Sequence, residues 1–192
     1  NYVHSKQKMG ITNASALLVN HQTMAIEAMI GSSDFFNSSI FGQVNGVSAK
    51  RSPGSALKPF VYALAMDQGL IHPLSLMRDS PQKFGGFTPE NYDKQFMGPI
   101  SVQEALIESR NVPAVHLQSR LTDTSFYQFL VEAGVAGLKN EAHYGLALAL
   151  GGGEVTAMEL AGLYATLANG GERTAIKSLL HSATTPAKRL LS

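Results

Sequence analysis

Apolar residues recur along the chain at two spacings, and each spacing predicts a different kind of element. In residues 14–31, two apolar runs flank the polar tetrapeptide 20–23, a pattern typical of a β-hairpin. After Ser55 the apolar positions follow a helical period that ends at Gly69: Leu57, Val61, Leu64 and Ala65. The first part of the chain is therefore predicted to combine a pair of strands with a helix.

A second helix is predicted to begin after Ser101. Ser101 and Glu104 have the S-x-x-E spacing of a capping box, in which each side chain accepts a hydrogen bond from the other's backbone N–H. We expect this helix to stop near Asn111. The reason is that Val112 precedes Pro113, and a residue before proline is disfavoured in the helical conformation.

Two more helices and two irregular segments complete the pattern. Helices are predicted over residues 124–133 and 156–169, and the second of these opens with another capping box at Thr156. Residues 32–47 and 70–99 lack a period and are rich in glycine, asparagine or proline. A loop as long as the second one is usually functional.

Composition narrows the classes of function. The chain has 192 residues, of which 44% are hydrophobic and 15% charged, with a formal net charge of +1 and no cysteine. This balance predicts a globular protein that does not bind nucleic acid. The six histidines lack the spacing of metal ligands, so we expect neither a metal nor a cofactor. No apolar run reaches transmembrane length and no signal peptide opens the chain, so any targeting segment is expected outside it.

The strongest chemical signal is the spacing of Ser55 and Lys58. They follow a Pro-Gly turn and head the first predicted helix, which places both side chains on one face, one turn apart. A serine hydroxyl becomes a good nucleophile only beside a base, and a lysine kept neutral by burial can be that base. The pattern predicts an acyl-accepting serine.

Context separates this S-x-x-K match from two others. Ser5 with Lys8 lies in a polar stretch, and Ser80 with Lys83 lies in a Gly/Pro-rich loop. Only the match at Ser55 precedes a helical apolar pattern. The other two are interpreted as chance.

A second motif follows about fifty residues later. Ser109 and Asn111 form the one S-x-N of the sequence, at the end of the helix that starts after Ser101. Such a turn lets the hydroxyl and the amide point into one cleft. There the serine can relay a proton and the amide can hydrogen-bond a substrate amide.

These motifs and three longer strings resemble the transpeptidase domain of penicillin-binding proteins. The strings are G-F-T-P-E-N-Y-D, followed by G-P-I-S-V-Q-E-A-L-I-E-S-R-N-V-P-A-V, and L-G-G-G-E-V-T-A-M-E-L-A-G-L-Y-A-T-L-A-N-G-G. They are most similar to the bifunctional class A enzymes, and the resemblance runs from residue 14 onward. It implies an α+β, β-lactamase/D,D-transpeptidase-like fold, with an antiparallel sheet and a helical subdomain. Residues 14–31 would supply its hairpin and residues 55–171 its mainly helical part.

The resemblance also implies roles for single residues. Ser55 would be the nucleophile, with its backbone N–H as half of an oxyanion hole, and Lys58 would be the base. Ser109 would shuttle protons and Asn111 would hold the substrate. No metal or cofactor is implied. Glu154, in the E-V-T string, is interpreted as a loop residue, and Thr156 as a helix cap.

One family motif is missing from the sequence. The family carries K-[ST]-G on a strand that lines the cleft, whereas Lys177 and Ser178 are followed here by Leu179. We therefore expect residues 1–192 to be a fragment of a longer protein. The fragment would lack both the K-T-G strand and the glycosyltransferase domain that precedes class A transpeptidases. Its sheet would be incomplete, and its exposed edge would favour self-association.

The expected parent is a periplasmic serine D,D-transpeptidase anchored in the inner membrane. Its partners would be peptidoglycan stem peptides and β-lactam antibiotics. Two alternatives use the same motifs: a β-lactam sensor that stays acylated, and a serine β-lactamase. The second is disfavoured because class A β-lactamases carry an E-x-x-L-N loop, which is absent from this sequence.

Overall fold

The computed structural model describes residues 2–177 and 186–192. The chain forms two compact units, one from Asn1–Arg51 with Val155–Leu190, the other from Ser52–Glu154 with Leu191–Ser192. In chain order the elements are α1 (Tyr2–Lys6), β1 (Ala16–Val19), β2 (Ile26–Ile30), α2 (Lys58–Asp67), β3 (Leu76–Asp79), β4 (Gly98–Ser101), α3 (Val102–Ile107), α4 (Asn111–Arg120), α5 (Phe126–Glu132), α6 (Glu141–Tyr144), α7 (Ala157–Ala168), β5 (Glu172–Arg173) and β6 (Lys188–Arg189). Single 3₁₀ segments occupy Gln7–Met9, Ser38–Ile40, Gly54–Leu57 and Gly145–Leu150.

The first unit contains the predicted hairpin. β1 and β2 pair antiparallel, and the Asn20 side chain closes the turn by accepting the backbone N–H groups of Gln22 and Thr23. β2 continues into a bridge in which the N–H of Ile26 donates to Lys177 O at 3.1 Å. Ser178 and Leu179, the two residues after Lys177 that break the K-[ST]-G pattern, lie outside the described residues.

Helix α7 packs against β1 within the first unit and begins at the predicted capping box. The Thr156 hydroxyl accepts the Glu159 N–H at 3.0 Å, and the Glu159 carboxylate accepts the Thr156 N–H at 2.7 Å. The interpretation of Thr156 as a helix cap is thus confirmed. Two-stranded β5–β6 follows α7, with Glu172 opposite Arg189.

The second unit is mainly helical and has an aromatic core. Phe60 on α2 stacks on Phe129 of α5 with ring centroids 6.3 Å apart, and Phe126 stacks on Phe129 at the same spacing. All three rings are buried. α2 and α4 pack together, which brings the two segments that carry the S-x-x-K and S-x-N motifs into contact.

Two sequence expectations for this unit are wrong. The helix after Ser101, α3, already ends at Ile107. Asn111, where its end was expected, is instead the first residue of a new helix, α4. Pro113 is accepted because it lies in the first turn of α4, where a missing N–H costs no intrahelical hydrogen bond. The segment 70–99 also contains a strand, β3, which pairs antiparallel with β4.

The architecture is a mixture of helices and small antiparallel sheets, as predicted. Within residues 2–177 and 186–192, no helix has the length and apolar character needed to cross a membrane.

Candidate active site

Ser55 lies on a tight turn that feeds directly into α2. Gly54 has φ +53°, and the 3₁₀ segment that it opens passes into α2 at Lys58, whose N–H donates to Ser55 O. Pro59 occupies the first turn of α2, where it fits. Ser55 is exposed, as a nucleophile must be to meet its substrate.

A glycine from another segment supports this turn. Gly151 has φ +86°, and a Cβ added to it would lie 2.4 Å from Gly54 N. The Ser52 hydroxyl also donates to Gly151 O at 2.8 Å. The backbone of the L-G-G-G-E string therefore packs against the turn before Ser55, at a distance that no side chain could tolerate.

Lys58 is the one lysine of the three S-x-x-K matches that is buried. Its exposed fraction is 0%, whereas Lys8 and Lys83 are exposed. Its Nζ donates to Asn111 Oδ1 at 2.6 Å, to the Ser109 hydroxyl at 3.1 Å and to the Ser109 backbone oxygen. The structure thus brings the lysine of the S-x-x-K motif together with both side chains of the S-x-N motif.

Burial makes Lys58 easier to deprotonate than an ordinary lysine. Loss of solvation, and secondarily the nearby Arg110 guanidinium, lower the pKa of Lys58 from 10.5 to about 8. The three hydrogen-bond acceptors match the three N–H groups of the ammonium form in number. A lysine poised in this way exchanges protons near neutral pH.

Ser109 owes its position to a helix-terminating motif. After α3 the chain closes with Arg110 N–H to Ala105 O at 2.9 Å and Ser109 N–H to Leu106 O at 3.0 Å, which is the Schellman pattern. Ser109 takes the left-handed position, with φ +52°. Glycine usually occupies that position, so a serine there is strained by about 1 kcal/mol and must be held by its surroundings.

Asn111 is fixed through both ends of its amide. While Oδ1 accepts from Lys58, Nδ2 donates to Glu90 O at 2.7 Å. An amide nitrogen carries two hydrogens, and among the described residues the second hydrogen on Nδ2 has no acceptor, which leaves it for a ligand. Glu90 belongs to the G-F-T-P-E-N-Y-D string, whose contribution to the site the spacing of motifs did not reveal.

The Ser55 hydroxyl makes no hydrogen bond within residues 2–177 and 186–192. Its nearest partner in the sequence motif, Lys58, is turned toward Ser109 and Asn111. The hydrogen bond to Pro53 O in this 3₁₀ turn, 3.2 Å long, is donated by the following amide, Ala56 N–H, and not by Ser55 N–H. Among the described residues the Ser55 N–H has no acceptor, so it remains available to an oxyanion.

No cluster of three or more histidine, cysteine, aspartate or glutamate side chains suited to a metal occurs in the described part of the chain. The groups gathered at Lys58 are a hydroxyl, an amide and an amine, which are the parts of a proton-transfer site.

Comparison with known proteins identifies the family of this chain. The family profile of the penicillin binding protein transpeptidase domain matches residues 14–186. The chain therefore belongs to the penicillin-binding protein transpeptidase family.

Individual relatives agree with the class A resemblance. Penicillin-binding protein 1C of Escherichia coli is 41% identical over 162 residues, which cover 84% of this chain and 21% of that protein. Penicillin-binding protein 1F of Bacillus subtilis is 37% identical over 163 residues, covering 83% of this chain and 22% of that protein. The chain thus spans about a fifth of the length of these relatives.

Solved structures share the fold. A peptidoglycan glycosyltransferase from Burkholderia ambifaria superposes with a TM-score of 0.80 at 17% identity, over 98% of this chain and 64% of the other. The penicillin-binding protein PonA1 from Mycobacterium tuberculosis superposes with a TM-score of 0.69 at 22% identity, over 84% of this chain and 44% of the other.

Proposed function

We propose that Ser55 is the acyl-accepting nucleophile of a serine D,D-transpeptidase that cross-links peptidoglycan stem peptides. The observation that carries this proposal is that Ser109 and Asn111 converge on the buried amine of Lys58, one helical turn from an exposed serine. Family membership supports the reaction class.

The proposed reaction has two acyl transfers. Neutral Lys58 accepts the Ser55 proton while Oγ attacks the carbonyl carbon of the peptide bond between the two terminal D-alanines. The C–N bond then breaks, and the leaving amine takes a proton from Lys58 through the Ser109 hydroxyl, which lies 3.1 Å from Nζ. An amine of a second stem peptide then attacks the ester carbonyl carbon and gives up a proton to neutral Lys58. The new C–N bond forms as the C–Oγ bond breaks, and Lys58 returns the proton to Ser55 Oγ.

Asn111 and the Ser55 amide have binding roles in this proposal. The free N–H of the Asn111 amide donates to a carbonyl of the stem peptide, and the Ser55 N–H donates to the developing oxyanion. A β-lactam presents the same carbonyl to Ser55 and would acylate it.

We propose that transpeptidation at full rate is a property of the whole protein. The K-[ST]-G motif supplies the second oxyanion donor in the family and does not occur in these 192 residues. Losing one such donor costs about 10² to 10³ in rate. We also propose a periplasmic, membrane-anchored parent, in keeping with the class A relatives.

Two alternatives share the first half of the chemistry. A sensor would be acylated and never deacylated, and a β-lactamase would release the opened lactam quickly. Retention of a labelled penicillin disfavours the β-lactamase. Exchange of a terminal D-alanine in a model peptide then separates the transpeptidase from the sensor.

The matched serines of the chain provide the test. We expect a fluorescent penicillin to label the protein, Ser55→Ala to abolish the label, and Ser80→Ala to leave it unchanged, although both serines precede a lysine by three residues. Labelling that survives in Ser55→Ala, or disappears in Ser80→Ala, would sink the assignment.

A further inference from the structure

The side chain of Asn91 uses its whole hydrogen-bonding capacity inside the second unit. Only 4% of Asn91 is exposed. Its Nδ2 donates to Asp79 Oδ1 at 2.7 Å and to Gln95 O at 2.9 Å. Its Oδ1 accepts the N–H of Asn111 at 2.8 Å and that of Val112 at 3.5 Å. Since an amide offers two donors and two acceptor positions, none is left over.

The start of helix α4 depends on this distant side chain. Its N-cap residue is Arg110, which makes no capping hydrogen bond and has no acceptor to offer. The orphan N–H groups of a helix start are normally satisfied by a serine, threonine, aspartate or asparagine at the N-cap. Here Asn91 serves that purpose from 20 residues away.

The middle residue of S-x-N is tied to the same buried carboxylate. Asp79 has no exposed surface, and its Oδ2 accepts Arg110 Nε at 2.8 Å and Met97 N–H at 3.0 Å. Arg110 also donates to Asp93 at 2.9 Å. Removing one partner from such a buried ion pair leaves an uncompensated charge, so the arrangement holds only while all its members are present.

Each residue of S-x-N therefore has its own anchor. Ser109 contacts Lys58, Arg110 is bound to Asp79, and the Asn111 backbone is bound to Asn91. The Asn91–Asp79 hydrogen bond joins the last two anchors into one assembly. That assembly binds the two residues that directly follow the left-handed Ser109, whose conformation needs external support.

We propose that Asn91 is a positioning residue of this site: by linking the first amides of α4 to Asp79, it holds Ser109 and Asn111 against Lys58. Its catalytic meaning rests on the proposed function. The proposal differs from a simple capping role because it requires both ends of the Asn91 amide. The acceptor serves the helix, and the donor serves the buried carboxylate.

Two substitutions separate positioning from capping. Asn91→Ala removes both ends of the amide. Asn91→Asp keeps an acceptor that caps helices as well as asparagine does, but it loses the N–H groups and places a second carboxylate against Asp79. We expect both variants to slow penicillin labelling by about 10- to 100-fold, because small displacements of catalytic groups have effects of that size.

Asn140→Ala is the matched control. Asn140 caps α6 through its own side chain, which accepts His143 N–H at 2.9 Å, so this variant loses a helix cap without touching the site. We expect its labelling to stay within about two-fold of the rate of the unsubstituted chain, since none of the hydrogen bonds at Lys58, Ser109 or Asn111 involves Asn140. Labelling of Asn91→Asp at the parent rate, or a loss in Asn140→Ala as large as in Asn91→Ala, would overturn the proposal.

A readout without catalysis keeps the two proposals separate. The ¹³Cε resonance of Lys58 and the hydrogen exchange of the Asn111 and Val112 amides report the site in a chain that is never acylated. We expect the Lys58 resonance to move in both Asn91 variants and to stay fixed in Asn140→Ala. An unmoved Lys58 resonance in folded Asn91→Asp refutes positioning, whereas absence of any Ser55 label in the parent chain refutes the proposed function alone.

Discussion

Lys58 combines two opposing environments in one residue. Burial, and secondarily the Arg110 charge, disfavour its ammonium form and lower the pKa to about 8. Three acceptors surround the same Nζ, one for each N–H of the ammonium form. This residue could be selected from the sequence only by its context, because the three S-x-x-K matches are chemically identical. The structure distinguishes them by burial.

The first prediction is the pH dependence of acylation. The lowered pKa means that the neutral, proton-accepting form of Lys58 appears above about pH 8 instead of above 10.5. The rate of penicillin labelling should therefore rise about ten-fold per pH unit below that pKa and level off above it. Labelling reactions quenched at fixed times, over a series of pH values on both sides of pH 8, measure the profile.

The matched variant is Lys58→Ala, which should label about 10² to 10⁴ times more slowly and without this profile. A parent rate that is flat through pH 8, or one that keeps rising toward an apparent pKa near 10.5, would contradict the role of Lys58 as the base.

The second prediction concerns the strained serine. Ser109→Gly should have a free energy of unfolding about 0.5 to 1 kcal/mol above that of Ser109→Ala. Both variants lose the hydroxyl to which Lys58 donates, but glycine accepts a left-handed conformation without a Cβ penalty. The same change should slow labelling, because the proton-relaying hydroxyl is lost. Urea denaturation and labelling of one preparation give both numbers.

Ser109→Ala loses the hydroxyl but keeps the strain, so it should slow labelling without any gain in stability. A Ser109→Gly variant that is less stable than Ser109→Ala would show that the left-handed position is not strained.

Among the elements, those with local signals were predicted and those set by distant contacts were not. The capping boxes at Ser101 and Thr156 are both present, because a capping box is complete within four residues. The start of α4 was missed since its cap, Asn91, lies in another segment. Strand β3 was missed because it has four residues and pairs only with β4.

The same reason limits what the sequence says of the site. The lysine, Ser109 and Asn111 could be proposed from spacing. Asp79 carries no motif, and Asn91 lies in the G-F-T-P-E-N-Y-D string without a spacing that indicates a role. Their contacts with the S-x-N segment cross 31 and 20 residues. Their importance becomes visible only when the backbone has brought them together.

The third prediction tests the N-cap of α7. Thr156→Ala should lower the free energy of unfolding by about 1 kcal/mol, because Glu159 N–H at the start of α7 loses its acceptor. Chemical denaturation of the whole chain measures it. Thr88→Ala, an exposed loop change, should stay within about 0.5 kcal/mol of the parent. Equal stabilities for the two variants would refute the contribution of the cap.

For the molecule as a whole, the first unit presents an uncovered sheet face. One face of the β1–β2 hairpin is formed by Ala16, Leu18, Ala28 and Ile30, all exposed, and the last two pair with the first two across the strands. Leu18 is 56% exposed and Ile30 is 58% exposed. Contiguous apolar surface of this kind commonly serves as an interface.

The fourth prediction is that the chain self-associates through this face. Light scattering at increasing concentration should show a species larger than 20.5 kDa. The variant Leu18→Lys/Ile30→Lys should shift it toward the monomer, because paired charges repel across an apolar contact. His72→Lys, an exposed change in the second unit, controls for added charge. A parent chain that stays monomeric at all concentrations contradicts this prediction.

The most direct test of the central claim is peptide mapping of the penicillin-treated chain by mass spectrometry. The proposed mechanism predicts an adduct with the mass of the whole penicillin, because opening the lactam by Ser55 Oγ loses no atoms. It also predicts that the adduct lies on the peptide containing Ser55 and persists for hours after free penicillin is removed. An adduct on a peptide containing Ser5 or Ser80 but not Ser55, or none on the Ser55 peptide after prolonged exposure, would contradict it.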